Sequence, residues 1–519
     1  MSLHSRHTDH PAGGPHCLIA PVEPDDAGRR QRATLLIALC AIALATITLN
    51  GQIGPNGDDA AYVEFAQGII GGHGLAWMHF PVPEPSGYRT FTLPLLLLPF
   101  ERLVPGSYLL YKLVPWLAFI GLALFLRRFG QVRDRALWLL LVLFNPYLID
   151  YTNQILTEIP FLFLSLLLLH GLHRWSRRGG WHWLPLALGL YLLIHLKELG
   201  YALLAALPLC ALLYRRRRRL LLVFAAVLAL LAFDLLVLNL HENIYFSLTR
   251  MHNQYDPAAG SVSPAEFAQR CGKRVLEYAL NRLPEFFLMP YFHGIDPHRA
   301  DGTLNPQFIF KAVPGALLTL LLLRGFRRRC RQCCALTEIY VALYALILIA
   351  WQSGLPRYLI PLTPLLYGYL FDGMHGVPRR LPWRLAWAAF FILTLATTLQ
   401  VSYTARTQPL LPHWQAYYAA SRWAGEHLPP TAVIACRKPG LTYLLASRHT
   451  VEYPLLADSG PLTALVAQYG VTHILVDELM TGGPLANRYL RPALAASGLQ
   501  PRAVFRAGQH TELVEVQQP

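Results

Sequence analysis

Apolar runs of the length needed to cross a hydrocarbon core of roughly 30 Å recur about eleven times along this chain. Their approximate limits are 33–50, 107–126, 136–150, 156–172, 183–196, 199–214, 220–240, 312–323, 335–351, 357–371 and 385–401. In lipid, every backbone polar group must be paired within the protein, and unbroken apolar runs of this kind do so as helices. The run 91–104 differs. It has about fourteen residues, is interrupted by Pro94 and Pro99 and ends in Glu101 and Arg102, so it reads as a re-entrant or interfacial segment. The composition agrees, since 54% hydrophobic against 14% charged residues is too apolar for a string of soluble domains.

A formal charge of +15 would make nucleic acid the first partner to consider in a soluble chain. Here the surplus has another explanation. Alternate connections carry Arg127, Arg128, Arg133 and Arg135; Arg174, Arg177 and Arg178; Arg215 to Arg219; Arg324, Arg327 to Arg329 and Arg331; and Arg379, Arg380 and Arg384, against the single acid Asp134. Short connections on the other side, such as 151–158, carry no Lys or Arg. By the positive-inside rule the arginine side is cytoplasmic, so the N-terminus lies inside and, with an odd number of spans, the C-terminus outside. The expected fold is a polytopic α-helical membrane protein of about eleven transmembrane helices with a C-terminal α/β extracytoplasmic domain. Residues 1–32 read as a disordered cytoplasmic tail, 33–401 as the membrane domain with outer loops 51–106 and 241–311, and 402–519 as the outer domain. Its pattern predicts helices near 412–427, 439–446, 461–469 and 484–497, strands at 431–436, 450–453 and 473–477, and two short terminal strands.

Function is expected on the outer side, where the long loops lie. Asp58 and Asp59 open a short helix whose Tyr62, Phe65, Ala66, Ile69 and Ile70 share one face suited to the membrane surface, and Gly71-Gly72-His73-Gly74 ends it. Asp is a favoured residue at a helix start, which is the structural reading of either carboxylate alone. Two together at a membrane face leave one free for chemistry. Glu158, Lys197, Arg89 and Arg357 lie at the same level at span ends, where each alone could snorkel or pair structurally. Together they suit one site that handles a proton and an anion. A lipid phosphate ester fits such a site: Arg and Lys hold the phosphate, and a carboxylate takes the proton of an attacking hydroxyl.

The stretch Gly57-Asp58-Asp59-Ala60-Ala61-Tyr62, Ala66, Gly72-His73-Gly74-Leu75-Ala76-Trp77, Gly87-Tyr88 and Pro94-Leu95 resembles the first outer loop of the GT-C membrane glycosyltransferases. These include protein O-mannosyltransferases, aminoarabinose transferases of lipid A and, most similar in flavour, arabinofuranosyltransferases. Leu156 to Pro160, His195 to Glu198, Arg357 to Pro361 and Tyr469 to Asp477 follow in the family's order, so the resemblance runs over nearly the whole chain from Ala33. It implies a bacterial inner-membrane enzyme that moves a sugar from a polyprenyl-phosphate donor to an extracytoplasmic acceptor with inversion. Asp58 or Asp59 would be the base, Glu158 an acid common in the family, and Arg89, Lys197 and Arg357 the donor-phosphate ligands. Arg89 departs from the pattern, because some relatives carry a lysine slightly further on. Tyr62, His73 and Tyr88 complete the candidate site. No cofactor follows, a divalent cation stays open, and the partners are the lipid-linked sugar, the acceptor and membrane lipid, with no nucleic acid. A lipid or solute transporter, or a polysaccharide polymerase or ligase, is the alternative. Against a transporter, the loop 51–106 has no second copy and the charges gather on one side.

Overall fold

The computed structural model describes residues 27–55, 57–129, 134–214, 218–236, 249–252, 260–288, 297, 303, 305–333, 336–375, 381–407, 410–477, 479, 486–508 and 510–517. Most of the expected tail, parts of the loop 241–311 and the arginines Arg133, Arg215, Arg216, Arg217, Arg379 and Arg380 lie outside the described residues.

Helix α1 (Ala27–Thr48) begins six residues ahead of its apolar run, within the segment expected as tail, so the helix continues through the arginines that precede the apolar stretch. After α2 (Asp58–Ile70) and a two-residue pairing of β1 (Ala76–Trp77) with β2 (Glu84–Pro85), α3 (Thr92–Leu103) occupies the Pro-interrupted run. At 12 residues it is too short to span, as expected. Then follow α4 (Tyr108–Tyr111), α5 (Leu113–Phe129), α6 (Arg135–Leu143), α7 (Pro146–Thr152), α8 (Glu158–Arg178), α9 (Trp183–Leu196), α10 (Tyr201–Leu213), α11 (Leu220–Leu236), α12 (Pro264–Glu277), α13 (Leu283–Leu288), α14 (Pro306–Cys333), α15 (Leu336–Ala350), α16 (Thr363–Gly373) and α17 (Leu381–Thr407). Each apolar run thus coincides with helix. Four stretches, Gln31–Thr48, Tyr108–Arg128, Pro306–Gln332 and Ala388–His427, are long and apolar enough to cross a membrane by length and composition.

One run is corrected. The segment 136–150 is two helices, because Asn145 caps α7, its Oδ1 accepting from the amides of Tyr147 at 3.0 Å and Leu148 at 3.3 Å, with Pro146 in the first helical position. The short helix α7 then ends among the outer-side groups instead of continuing a straight span.

The C-terminal domain follows its expected order: α18 (Pro412–His427), β3 (Val433–Cys436), α19 (Pro439–Ala446), β4 (His449–Glu452), α20 (Ser459–Tyr469), β5 (His473–Val476), α21 (Arg491–Ala496), β6 (Gln500–Ala507) and β7 (Thr511–Gln517). The sheet order is β4-β3-β5-β7-β6; β4 and β5 are parallel to β3, and β7 is antiparallel to both β5 and β6. Its core is built from residues such as Val433, Val451, Leu462, Ile474 and Val514.

The position of α2 departs from expectation. Phe65 and Ala66 are buried, but so are Asp59, Val63 and Glu64, while Ile70 is exposed. The helix is covered on two sides, by α3 and by α19, so its buried surface is wider than one amphipathic stripe. Gly440 of α19 leaves the space that Glu64 occupies.

On the arginine-rich side, α14 and α16 pack through glycines: a Cβ on Gly325 would run into the carbonyl of Tyr369, and one on Gly373 into that of Leu321. Gly373→Leu is therefore expected to lower stability by about 1–3 kcal/mol, the usual cost of overpacking. Gly272→Ala, at a helix position with nothing within 4 Å, should not lower it. Thermal melting of the solubilised protein checks both, and equal midpoints for the two variants would refute this packing.

Candidate functional site

The two adjacent aspartates at the start of α2 point in different directions, since consecutive helical residues are about 100° apart. Gly57, at φ +85°, turns the chain into the helix, a conformation that favours glycine. Asp58 is half-exposed, with its Oδ2 3.0 Å from Arg357 Nη2. Asp59 is fully buried, its Oδ2 accepting from the Ile155 amide at 3.0 Å. Burial pushes the Asp59 carboxyl up to about 6, opposed by the Ile155 amide and the Lys112 charge. Lys112 in turn donates to Asn50 O at 3.1 Å, Asn50 Oδ1 at 2.8 Å and Asn153 Oδ1 at 3.2 Å. Asp59 thus belongs to a buried polar network that fastens the loop to the ends of α1, α4 and α7, whereas Asp58 faces the open side.

From Asp58 the charges alternate through four separate segments. Arg357 Nε lies 4.0 Å from Glu158 Oε1, and Lys197 Nζ donates to the same oxygen at 2.7 Å. Both cations rest over the Tyr358 ring, at 5.4 Å for Arg357 and 5.5 Å for Lys197. Local sequence fixes each: Glu158 is the first residue of α8, where the helix dipole favours an acid. Lys197 sits in extended backbone past the end of α9, and the return turn is tight enough that a Cβ on Gly200 would come within 2.9 Å of the Ile194 backbone. Arg357 enters on a 3-10 turn, Pro356–Leu362. Tyr62 joins this group, bonded to Thr157 and close to Asp58, Glu158 and Glu198, and burial pushes its hydroxyl well above the ordinary range.

The remaining candidates show other contacts. The Arg89 carbonyl accepts from His195 Nδ1 at 2.9 Å, while His195 Nε2 is 3.0 Å from Asp234 Oδ2 and Tyr191 donates to Asp234 Oδ1 at 2.7 Å. Arg89 is therefore fastened, through its backbone, two residues from Lys197. Tyr88 packs against Phe65 and Trp77, with ring centroids 6.2 Å and 5.6 Å apart. His73 is exposed beyond the far end of α2, roughly 18 Å along the helix from Asp58 at 1.5 Å per residue. Lys112 and Lys438 are the cations that the sequence reading passed over. Lys112 carried a readable signal, a lone charge at the start of an apolar run. Lys438 did not, because only the folded domain brings it to Gly57, whose added Cβ would lie 3.3 Å from Lys438 Nζ.

No family model matches this sequence, and no curated protein matches it either. Among solved structures, the oligosaccharyltransferase of Archaeoglobus fulgidus, tethered with an acceptor peptide, aligns with a TM-score of 0.55 at 13% identity, covering 92% of this chain and 74% of that one. ArnT from Cupriavidus metallidurans, bound to undecaprenyl phosphate, aligns with a TM-score of 0.56 at 13% identity, covering 93% of this chain and 97% of the other. Both are GT-C glycosyltransferases, so the resemblance expected from the outer-loop motifs extends to the fold, a helical body with a C-terminal sheet domain.

The raised Asp59 carboxyl has a consequence for stability. A folded state that holds this proton more tightly than the unfolded chain loses the advantage as pH rises from about 4 to about 6, by about 3 kcal/mol for a shift of this size. Asp59→Asn cannot titrate, so the stability of the wild type relative to this variant should fall over that window and level off above it. Melting curves from about pH 4 to about pH 7 measure the difference, and a constant difference would exclude a protonated Asp59.

Proposed function

We propose that the chain is an integral membrane glycosyltransferase that moves a sugar from a polyprenyl-phosphate donor to an extracytoplasmic acceptor, with inversion. The observation that carries this reading is the Asp58–Arg357–Glu158–Lys197 chain of contacts at the ends of α2, α8 and α9. As it stands the group is electrically balanced, two carboxylates against two cations. An arriving phosphate monoester or diester competes for the Arg357 fork, which matches its geometry better than a single carboxylate oxygen does. Arg357 turning to the phosphate leaves Asp58 free to accept a proton.

The reaction then balances without a further reagent. The acceptor hydroxyl oxygen attacks the anomeric carbon from the face opposite the phosphate, its proton passes to Asp58, and the anomeric carbon–phosphate oxygen bond breaks. Polyprenyl phosphate leaves with its growing charge facing Arg357 and Lys197. Glu158 keeps Lys197 oriented, and Asp59 holds α2 in register from within. Among the described residues no three His, Cys, Asp or Glu side chains converge, and Asp58 and Glu158 each face a cation.

In this reading about eleven helices cross a bacterial inner membrane, the N-terminus lies in the cytoplasm and the domain from about 402 onward lies in the periplasm. The arginines Arg127, Arg128, Arg177, Arg178, Arg324, Arg327 to Arg329 and Arg331 support that orientation, since they gather in the last turns of α5 and α8 and the C-terminal third of α14, away from the Glu158 end of α8. The two solved relatives support the chemistry by their ligands, an acceptor peptide in one and undecaprenyl phosphate in the other.

The lipid that copurifies with the protein, identified by mass spectrometry, should carry a phosphate-linked sugar. Transfer from that donor is expected to fall by about 10²–10⁴-fold in Asp58→Asn, the usual loss of a general base, with lipid-phosphate binding retained. Arg357→Gln should instead weaken lipid-phosphate binding by about tenfold or more. Full transfer by Asp58→Asn would remove Asp58 from the chemistry.

A further inference from the structure

The C-terminal domain gives its own evidence of a ligand site. In its sheet the chain runs from β3 to the neighbour on one side, β4, and then to the neighbour on the other, β5. Connections that leave a parallel strand in opposite directions open a crevice beyond the strands' carboxyl ends, and open α/β sheets bind ligands there. The residues at those ends are Arg437 and Lys438 after β3, Glu452 closing β4, and Asp477 after β5. They gather at one edge. Asp477 is buried, with its Oδ1 accepting from the Leu479 amide at 2.8 Å, and burial pushes its carboxyl up to about 6.

That crevice faces α2. The Lys438 backbone amide donates to Tyr417 Oη at 3.1 Å, Pro439 starts α19, and Gly440 abuts Glu64. With its backbone so held, Lys438 reaches the turn at Gly57 that opens the catalytic helix. The charges that bear on Lys438 are Asp58, Arg437, Glu452 and Asp477; those that bear on Arg357 include Asp58 and Glu158. Asp58 is the carboxylate common to both, so the two cations flank it from different domains. Yet their situations differ. Arg357 is ion-paired, whereas no hydrogen bond or ion pair engages the Lys438 ammonium among the described residues. Burial also lowers the pKa of Lys438, with Asp58 the largest charge opposing the shift. A partly desolvated ammonium with three donors and no partner is complementary to an anionic oxygen.

We propose that Lys438, at the switch-point crevice of the C-terminal domain, is an acceptor-binding residue that takes a phosphate or carboxylate oxygen of the acceptor, next to the hydroxyl that Asp58 deprotonates. This rests on the transferase reading and deepens it. A donor phosphate held by Arg357 and Lys197 leaves the opposite flank of Asp58 for the acceptor, because attack with inversion comes from the side away from the leaving group. Lys438, held beside Gly57 by the C-terminal domain, would serve that flank.

The test uses the full-length protein in nanodiscs loaded with undecaprenyl phosphate, with binding counted by native mass spectrometry. Lys438 is then treated with a trace of an amine-acylating reagent, and its modification rate is read by peptide mass spectrometry. Undecaprenyl phosphate alone should leave that rate unchanged. Adding inorganic phosphate or acetate at about twice its Kd to the loaded discs should slow it about threefold, since such a ligand leaves about a third of the sites free. Protection by undecaprenyl phosphate alone, with nothing added by the small anions, would move Lys438 to the donor phosphate and overturn the proposal. An unchanged rate with both anions would overturn it too, leaving the transferase reading intact. If the wild-type protein fails to bind undecaprenyl phosphate, the transferase reading falls and the acceptor assignment falls with it.

Discussion

A charge moved out of water is costly unless an opposite charge meets it in good geometry, and the helix ends around Glu158 are organised by that requirement. Glu158 is 2% exposed, and it is held there by Lys197 and Arg357, which come from the turn after α9 and the 3-10 turn before α16. Arg357 then extends to Asp58, so three helix ends and the outer loop share one set of ion pairs. Replacing any one partner would strand another. The same arrangement that satisfies the fold also leaves Asp58 as its one half-exposed member, and that exposure separates it from the other three. Burial and exposure are thus distributed along a single chain of charges, with Glu158 at the buried end and Asp58 at the open one.

A second polar network does the complementary task. Lys112 ties Asn50 to Asn153 beneath the loop, and Asp59 accepts from the Ile155 amide under the influence of the Lys112 charge. The loop is therefore not an appendage laid on the bilayer surface. Its first turn is wired into the helix ends on one side and covered by α19 on the other, which is how a short helix that could not be stable alone in water acquires a fixed place.

The apolar runs and the C-terminal strand-helix order were legible in the sequence because both depend on local pattern: long apolar stretches in one case, alternating short strands and helices in the other. The division of 136–150 was also written locally, in Asn145-Pro146, but a run of apolar side chains hides a cap unless the cap is sought. The roles of Asp58 and Asp59 were not legible. Which of two adjacent helical residues faces inward depends on where α3 and α19 press against α2, and the contacts with α19 join residues more than three hundred positions apart. Lys197, Glu158 and Arg357 could be expected at one level from their places at span ends, although not their pairing through a shared oxygen. Lys438 lay outside any motif. His73 shows the opposite failure, since a position inside a recognisable loop motif did not carry it to the charged group.

The burial of Glu64 has a mechanical consequence. Its Oε2 accepts from the His79 amide at 3.0 Å and lies 2.7 Å from the His79 ring Nδ1, the His79 carbonyl accepts from the Thr450 amide of β4 at 2.7 Å, and Gly440 closes over the carboxylate. Lifting the outer domain straight off α2 would break that strand-to-loop bond and open a fully buried acid to water. The domain and the first half of the loop are consequently tied together, and separating them would cost both that hydrogen bond and the hydration of a buried acid.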